Sequence, residues 1–242
     1  MRYAILSDVH SNREALEAVL GAIAAERTDR LLCGGDLVGY AADPEPCIEM
    51  TRAASTAVVA GNHDWAAVGK MSTAWFHDAA RAAVEWTAAR LSAPSRDYLA
   101  GLPLTWRDEQ VTLVHGTLHE PEAFHYLLEP DDAARTAALQ STPLTFVGHT
   151  HVPIVFEMDD AGTIRTIWDH AVRLRPGFRY VVNVGSVGQP RDQDPRACYG
   201  LYDAGERLLE FRRVPYPVAR TQAKVREAGL PSWFAERLAR GT

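Results

Sequence analysis

No run of apolar residues in this 242-residue chain approaches the roughly 20 needed to span a bilayer. Its opening stretch, MRYAILSDVH, enters a strand pattern at once and holds no apolar segment of the length a secretory leader needs. Cysteine is scarce: Cys33, Cys47 and Cys198 are odd in number and form no Cys-x-x-Cys pair, which argues against a disulfide framework and for a reducing compartment. Positive charge is also short, with 25 Lys and Arg against 31 Asp and Glu, a formal net charge of −6. Such a balance gives no general pull toward nucleic acid or an anionic membrane. Composition shifts, linkers and internal repeats are missing as well. Together these absences describe a soluble, cytoplasmic chain that folds as one domain over residues 1–242, with no membrane partner. At 47% hydrophobic and 23% charged, it has enough apolar material for a sizeable core.

What the chain does have is a series of short apolar runs that end in the same way. Tyr3–Leu6 leads to Asp8 and His10, whose side chains share a direction if the backbone stays extended. Ser11 and Glu14 have capping-box spacing, and Ala15, Leu16, Val19, Leu20 and Ile23 fall on one helical face. Arg30–Cys33 leads through a Gly-Gly pair to Asp36, and Pro44 opens a helix to about Arg52. Thr56–Ala60 ends at Gly61-Asn62-His63-Asp64. Strands alternating with helices imply right-handed crossovers and a parallel sheet.

From Trp65 to Leu102 the pattern is helical, and Trp75, Phe76, Ala79, Ala83 and Trp86 form a stripe expected to pack in the core. Then Val111–Val114 ends at His115-Gly116, Pro130–Leu139 reads as a helix, and Leu144–Val147 ends at Gly148-His149-Thr150-His151. Beyond Pro153 the pattern is mostly strands. Ile154–Met158 with Thr163–Trp168, and Tyr199–Asp203 with Leu208–Val214, flank turn sequences, and Tyr180–Val184 runs into Gly185-Ser186. Two short helices broken at Gly229–Pro231 close the chain.

An Asp or His after a strand is by itself an ordinary turn or cap residue. Five such endings, holding five of the nine histidines, are a different matter. Ligands of open α/β sheets bind at the carboxyl ends of strands, where these groups would converge. Imidazole with carboxylate suits Mn, Fe, Co, Ni or Zn and disfavours calcium, and no thiol joins the set. The donors exceed the needs of one ion, and a carboxylate such as Asp36 can bridge two divalent transition-metal ions, the pairing used by many phosphatases.

Asp8-x-His10, Gly35-Asp36, Gly61-Asn62-His63-Asp64, His115 and Gly148-His149-x-His151 resemble, in order, the five signature blocks of the calcineurin-like metallophosphoesterase superfamily. Asn183–Asp192, read NVGSVGQPRD, resembles its small bacterial branch of phosphodiesterases and phosphatases. The resemblance implies an α/β fold, a four-layer αββα sandwich of two mixed sheets with helices outside. It implies one ion held by Asp8, His10, Asp36 and His151, and another by Asp36, Asn62, His115 and His149. It also implies a catalytic His63 held by Asp64, and hydrolysis of a phosphodiester or phosphomonoester by a metal-bridging hydroxide.

Two further residues bear on substrate. Asn12 offers either an amide donor to a phosphate or a plain helix cap. Arg191 either leans over the cleft or pairs at the surface with Asp192 or Asp194. The superfamily's protein phosphatases carry an Asp-Arg pair after the Gly-Asp block, where this chain has Val38-Gly39-Tyr40. That departure favours a small phosphorylated, nucleotide-like substrate over a phosphoprotein. A superfamily nuclease is disfavoured by the acidic charge. A non-catalytic scaffold is disfavoured because all eight positions are filled. Oligomeric state is not legible.

Overall fold

A computed structural model describes residues 1–242. The chain runs β1 (Arg2–Leu6), α1 (Arg13–Ala24), β2 (Arg30–Cys33), α2 (Pro44–Ala54), β3 (Ala57–Val58) and α3 (Asn62–Ala67). Next come a 3-10 turn at Thr73–Trp75, α4 (Asp78–Ala88), α5 (Ala93–Gly101), β4 (Thr105–Arg107) and β5 (Val111–Val114). These are followed by α6 (Pro130–Ala138), β6 (Leu144–Val147), β7 (Ile154–Met158), β8 (Ile164–Ile167) and β9 (Ala171–Arg173). The last elements are β10 (Arg179–Asn183), β11 (Ala197–Asp203), β12 (Leu208–Val214), α7 (Val218–Glu227) and α8 (Ser232–Leu238).

Twelve strands form two six-stranded mixed sheets, in the orders β3-β2-β1-β11-β12-β9 and β4-β5-β6-β10-β7-β8. Alternation along the strands builds the layers. In β1, Tyr3 and Ile5 enter the core between the sheets, whereas Ala4 and Leu6 face the helix side with Ala15, Leu16 and Val19 of α1. On the far side, Ala133 and Ala137 of α6 pack against Val114, Val147 and Val181 of the second sheet. The result is helix, sheet, sheet, helix.

The parallel pairs β1–β2, β2–β3, β5–β6 and β6–β10 position the site, because parallel strands discharge their loops at one edge. Backbone bonds then tie those loops together. Asp8 N–H donates to Gly35 O at 3.0 Å, His10 N–H to Asp36 O at 2.9 Å, and Gly148 N–H to His115 O at 2.9 Å.

Two expectations fail locally, and two strands go unread. The cap of α1 is Asn12 rather than Ser11: Asn12 Oδ1 accepts from Ala15 N–H, while Ser11 has φ +57° and Glu14 turns to Lys224 of α7 at 2.6 Å. The stripe from Trp75 does not form one helix, because His77 caps α4 and starts it only at Asp78. Ala83 of that stripe is buried, but Trp75 is 90% exposed. The short strands β4 and β9 are not legible in the sequence, because three residues each are too few for an alternation to register as a pattern. All three thiols are free and buried, and burial pushes Cys198 up to about 12. No helix is long and apolar enough to cross a membrane.

Candidate metal centre

Asp8 and His10 follow β1, Asp36 follows β2, Asn62 and His63 follow β3, His115 follows β5, and His149 and His151 follow β6. All eight are buried. The loops do not stay extended. Asp8, His10, Asp36, His149 and His151 have φ between +49° and +69°, a left-handed backbone that Asp and His tolerate better than most residues. Tertiary packing holds this strain, which bends each side chain toward a common point.

The donors fall into groups that share members: Asp8 with His10 and His151, His10 with Asp36 and His63, and Asp36 with His115 and His149. His151 Nε2 lies 3.2 Å from Asp8 Oδ1, and His10 and His151 oppose their Nε2 atoms at 3.1 Å. His115 Nε2 lies 3.1 Å from His149 Nδ1 and 3.2 Å from Asn62 Oδ1. Asp36 stands between, its Oδ2 at 3.6 Å from His10 Nε2 and 3.4 Å from His115 Nε2.

Outer contacts set the ring orientations. His10 Nδ1 lies 3.1 Å from Val38 O, His115 Nδ1 2.7 Å from Gly34 O, and His151 Nδ1 2.7 Å from Gln189 O. Each Nδ1–H therefore donates to a carbonyl, which in neutral His10 and His151 leaves Nε2 as a bare lone pair aimed at its neighbours, the arrangement that prepares histidine for a metal. The carboxylates brace the frame in turn: Asp8 accepts from His149 N–H at 3.1 Å, and Asp36 Oδ1 from His63 N–H at 2.8 Å.

Electrostatics agrees with the donor geometry. Burial would raise both carboxyls, but His151 beside Asp8 and His115 beside Asp36 hold them below their ordinary values. Burial lowers His10 well below the ordinary histidine value and takes His149 down to about 3, so both are neutral. His115 rises to about 9, because the Asp36 charge outweighs its burial. Two ionised carboxylates thus lie at 0% and 1% exposure with only histidines as ion-pair partners. One charged His115 does not balance two buried carboxylates, and the opposed lone pairs of His10 and His151 at 3.1 Å repel unless something positive lies between them. The residues present fit divalent cations.

The calcineurin-like phosphoesterase superfamily domain matches residues 1–207. The chain belongs to that superfamily. It is 34% identical over 239 residues to the uncharacterized protein MJ0912 of Methanocaldococcus jannaschii, covering 97% of this chain and 96% of the other. A metallophosphoesterase from Sphaerobacter thermophilus is 40% identical with a TM-score of 0.87, covering 100% of this chain and 99% of that one. The hypothetical protein PH1004 from Pyrococcus horikoshii shares the fold, with a TM-score of 0.81 at 20% identity over 100% of this chain and 98% of its own. Family membership implies divalent metal ions and a hydrolase, and the His/Asp groups are positioned to bind such ions.

Within this phosphoesterase frame, two residues do not stand as expected. Asn12 is fully buried; besides capping α1 it donates to Gly188 O at 2.8 Å, so no atom is left for a substrate. Asp64 does not hold the His63 ring. Its oxygens accept from the backbone N–H groups of Leu37, Val38 and Gly61, and it braces the Asp36 loop against α3. Burial and the nearby Asp36 charge push its carboxyl above the ordinary value.

The ring of His63 is held by Tyr40, whose hydroxyl lies 3.0 Å from Nε2. Arg191 Nη2 donates to that hydroxyl at 3.5 Å and to Gln189 Oε1 at 3.1 Å. Arg191 forms no pair with Asp192 or Asp194, which are taken by Arg213 and Arg196. In the sequence Tyr40 stands out only as a departure from Asp-Arg; its place four residues after Asp36 is the one signal that points to it. Tyr126, stacked on His149 at 3.9 Å between centroids, gives none, since it sits in an irregular loop.

Proposed function

We propose that this protein is a metal-dependent phosphoester hydrolase that binds two divalent ions and acts on small phosphorylated substrates, diesters in preference to monoesters. The observation that carries the reading is the shared position of Asp36 between the His10 side and the His115 side of one buried donor set. Asp8, His10, Asp36 and His151 would hold one ion, and Asp36, Asn62, His115 and His149 the other. When bound, such a pair neutralises phosphoryl oxygens and lowers the pKa of a water.

The chain's own groups do the rest. His63, with Tyr40 against Nε2, is placed to carry a proton to the leaving-group oxygen. Arg191, without a carboxylate partner and with its Nε buried and unbonded, offers donors to a non-bridging phosphate oxygen or a second phosphate. One guanidinium suits the single charge of a diester better than the double charge of a monoester.

Hydrolysis of bis-p-nitrophenyl phosphate and p-nitrophenyl phosphate by protein loaded with Mn, Fe, Co, Ni or Zn tests the reading. Turnover that disappears on chelation and returns with metal is expected, with the diester preferred. A wild-type preference for the monoester would refute the diester assignment. Arg191→Ala should raise KM about tenfold, near 1.4 kcal/mol, at unchanged metal content. Unchanged kinetics would leave Arg191 outside the substrate site.

Two glycines separate His63 from the metal donors. Gly39 has φ +100°, and a Cβ there would lie 2.5 Å from His63 Nδ1. A Cβ at Gly61 would lie 2.0 Å from Asp36 Oδ1. Gly39→Ala is therefore expected to cut kcat about 10²-fold while metal stays bound, since displacement of about 1 Å costs that much. Gly61→Ala should lose metal first. Metal analysis beside kcat for the two variants reads the contrast, and equal metal loss in both would refute it.

A further inference from the structure

A cleft of about 320 Å³ opens directly beside the metal centre, with His63, Asn62 and His149 at its buried end. Its outer part is aromatic. Phe76 packs on the His63 ring at 5.0 Å, Tyr126 stacks on the His149 ring, and Trp75 stands at 90% exposure on its 3-10 turn. Lone exposed apolar side chains are common, but a fully presented indole lining a cleft with two other rings is a surface built for contact. No lysine, arginine, aspartate or glutamate lines this cleft; His77 and His125 are the ionisable groups of its outer part, so it offers no permanent charge to a second phosphate. Its volume lies at the lower end of small-molecule sites, about 300–1,000 Å³, which fits one nucleoside-sized group rather than a polymer.

We infer that the cleft formed by Trp75, Phe76 and Tyr126 binds the base of a nucleoside phosphoester whose phosphate lies on the His/Asp cluster. The inference rests on the phosphoesterase reading for the phosphate and on the cleft alone for the base. A flat, neutral base can lie against the rings, which act on any base through its face rather than its edge. Arg191 does not line the cleft; it donates to the hydroxyl of Tyr40, which does, so its charge stands at the edge of the aromatic surface.

Paired esters that differ only in the base test this: adenosine 5′-phosphate against ribose 5-phosphate, each as monoester and as methyl diester. The wild type should favour the base-bearing member in kcat/KM, mainly through KM. Trp75→Ala should shrink that ratio about tenfold, Trp75→Phe should keep most of it, and Trp168→Ala, which removes an exposed indole elsewhere, should not alter it. A ratio unmoved by Trp75→Ala would overturn the inference. Quenching of tryptophan emission by adenosine, lost in Trp75→Phe, reads the cleft without turnover. Quenching with no metal-dependent hydrolysis of any ester would sink the phosphoesterase reading and leave the base site standing; hydrolysis without quenching would do the reverse.

Discussion

Asp36→Asn is expected to lower bound metal from about two ions per chain toward one and to bring hydrolysis close to background. The replacement keeps the shape. An amide oxygen can still accept from His63 N–H, so α3 and the Gly61 turn stay in place. What is lost is the charge that faces His10 and His115 together, which two cations bound there would share. Metal analysis after reloading, with thermal melting to confirm the fold, checks the result. Full occupancy with normal turnover would remove Asp36 from the shared position.

His63→Gln should instead leave metal stoichiometry alone and lower kcat by about 10²–10⁴-fold. His63 lies within reach of the donors His10 and Asp36, so a role as ligand is geometrically open. Its bond to Tyr40, and the packing of Phe76 on its ring, favour a group that faces substrate. His149→Gln is the contrasting variant and should lose metal, since His149 Nδ1 points at His115 Nε2. Equal metal loss in the two variants would make His63 a ligand and end its assignment to the leaving group. Little kinetic effect of His63→Gln would reduce it to a turn residue.

Much of the arrangement is legible in the chain because it is local. A short apolar run and the polar pair after it say both that a strand ends and what stands at its end, and five repetitions say that the ends carry one site. The same locality explains the errors. Asp64 adjoins His63 in sequence, yet its carboxylate faces three backbone N–H groups, two of them some 27 residues away. Asn12 sits where a helix N-terminus meets the site, but Gly188 and Ala15 consume its amide. Trp75 fits a helical stripe with Phe76 and Ala79, but the cap at His77 ends the period before it reaches the indole.

The sequence by itself determined the donor types, their order, the alternation that layers two sheets between helices, and the absence of any thiol from the cluster. Those properties come from spacing and chemistry along the chain. Only the tertiary structure decided that Tyr40 rather than Asp64 holds the His63 ring, that Arg191 is free of its acidic neighbours, and that Trp75 and Tyr126 line one cleft. Each of these depends on contacts between loops from different strands. Such contacts are set by left-handed turns and sheet register, and no periodicity in the chain reports them.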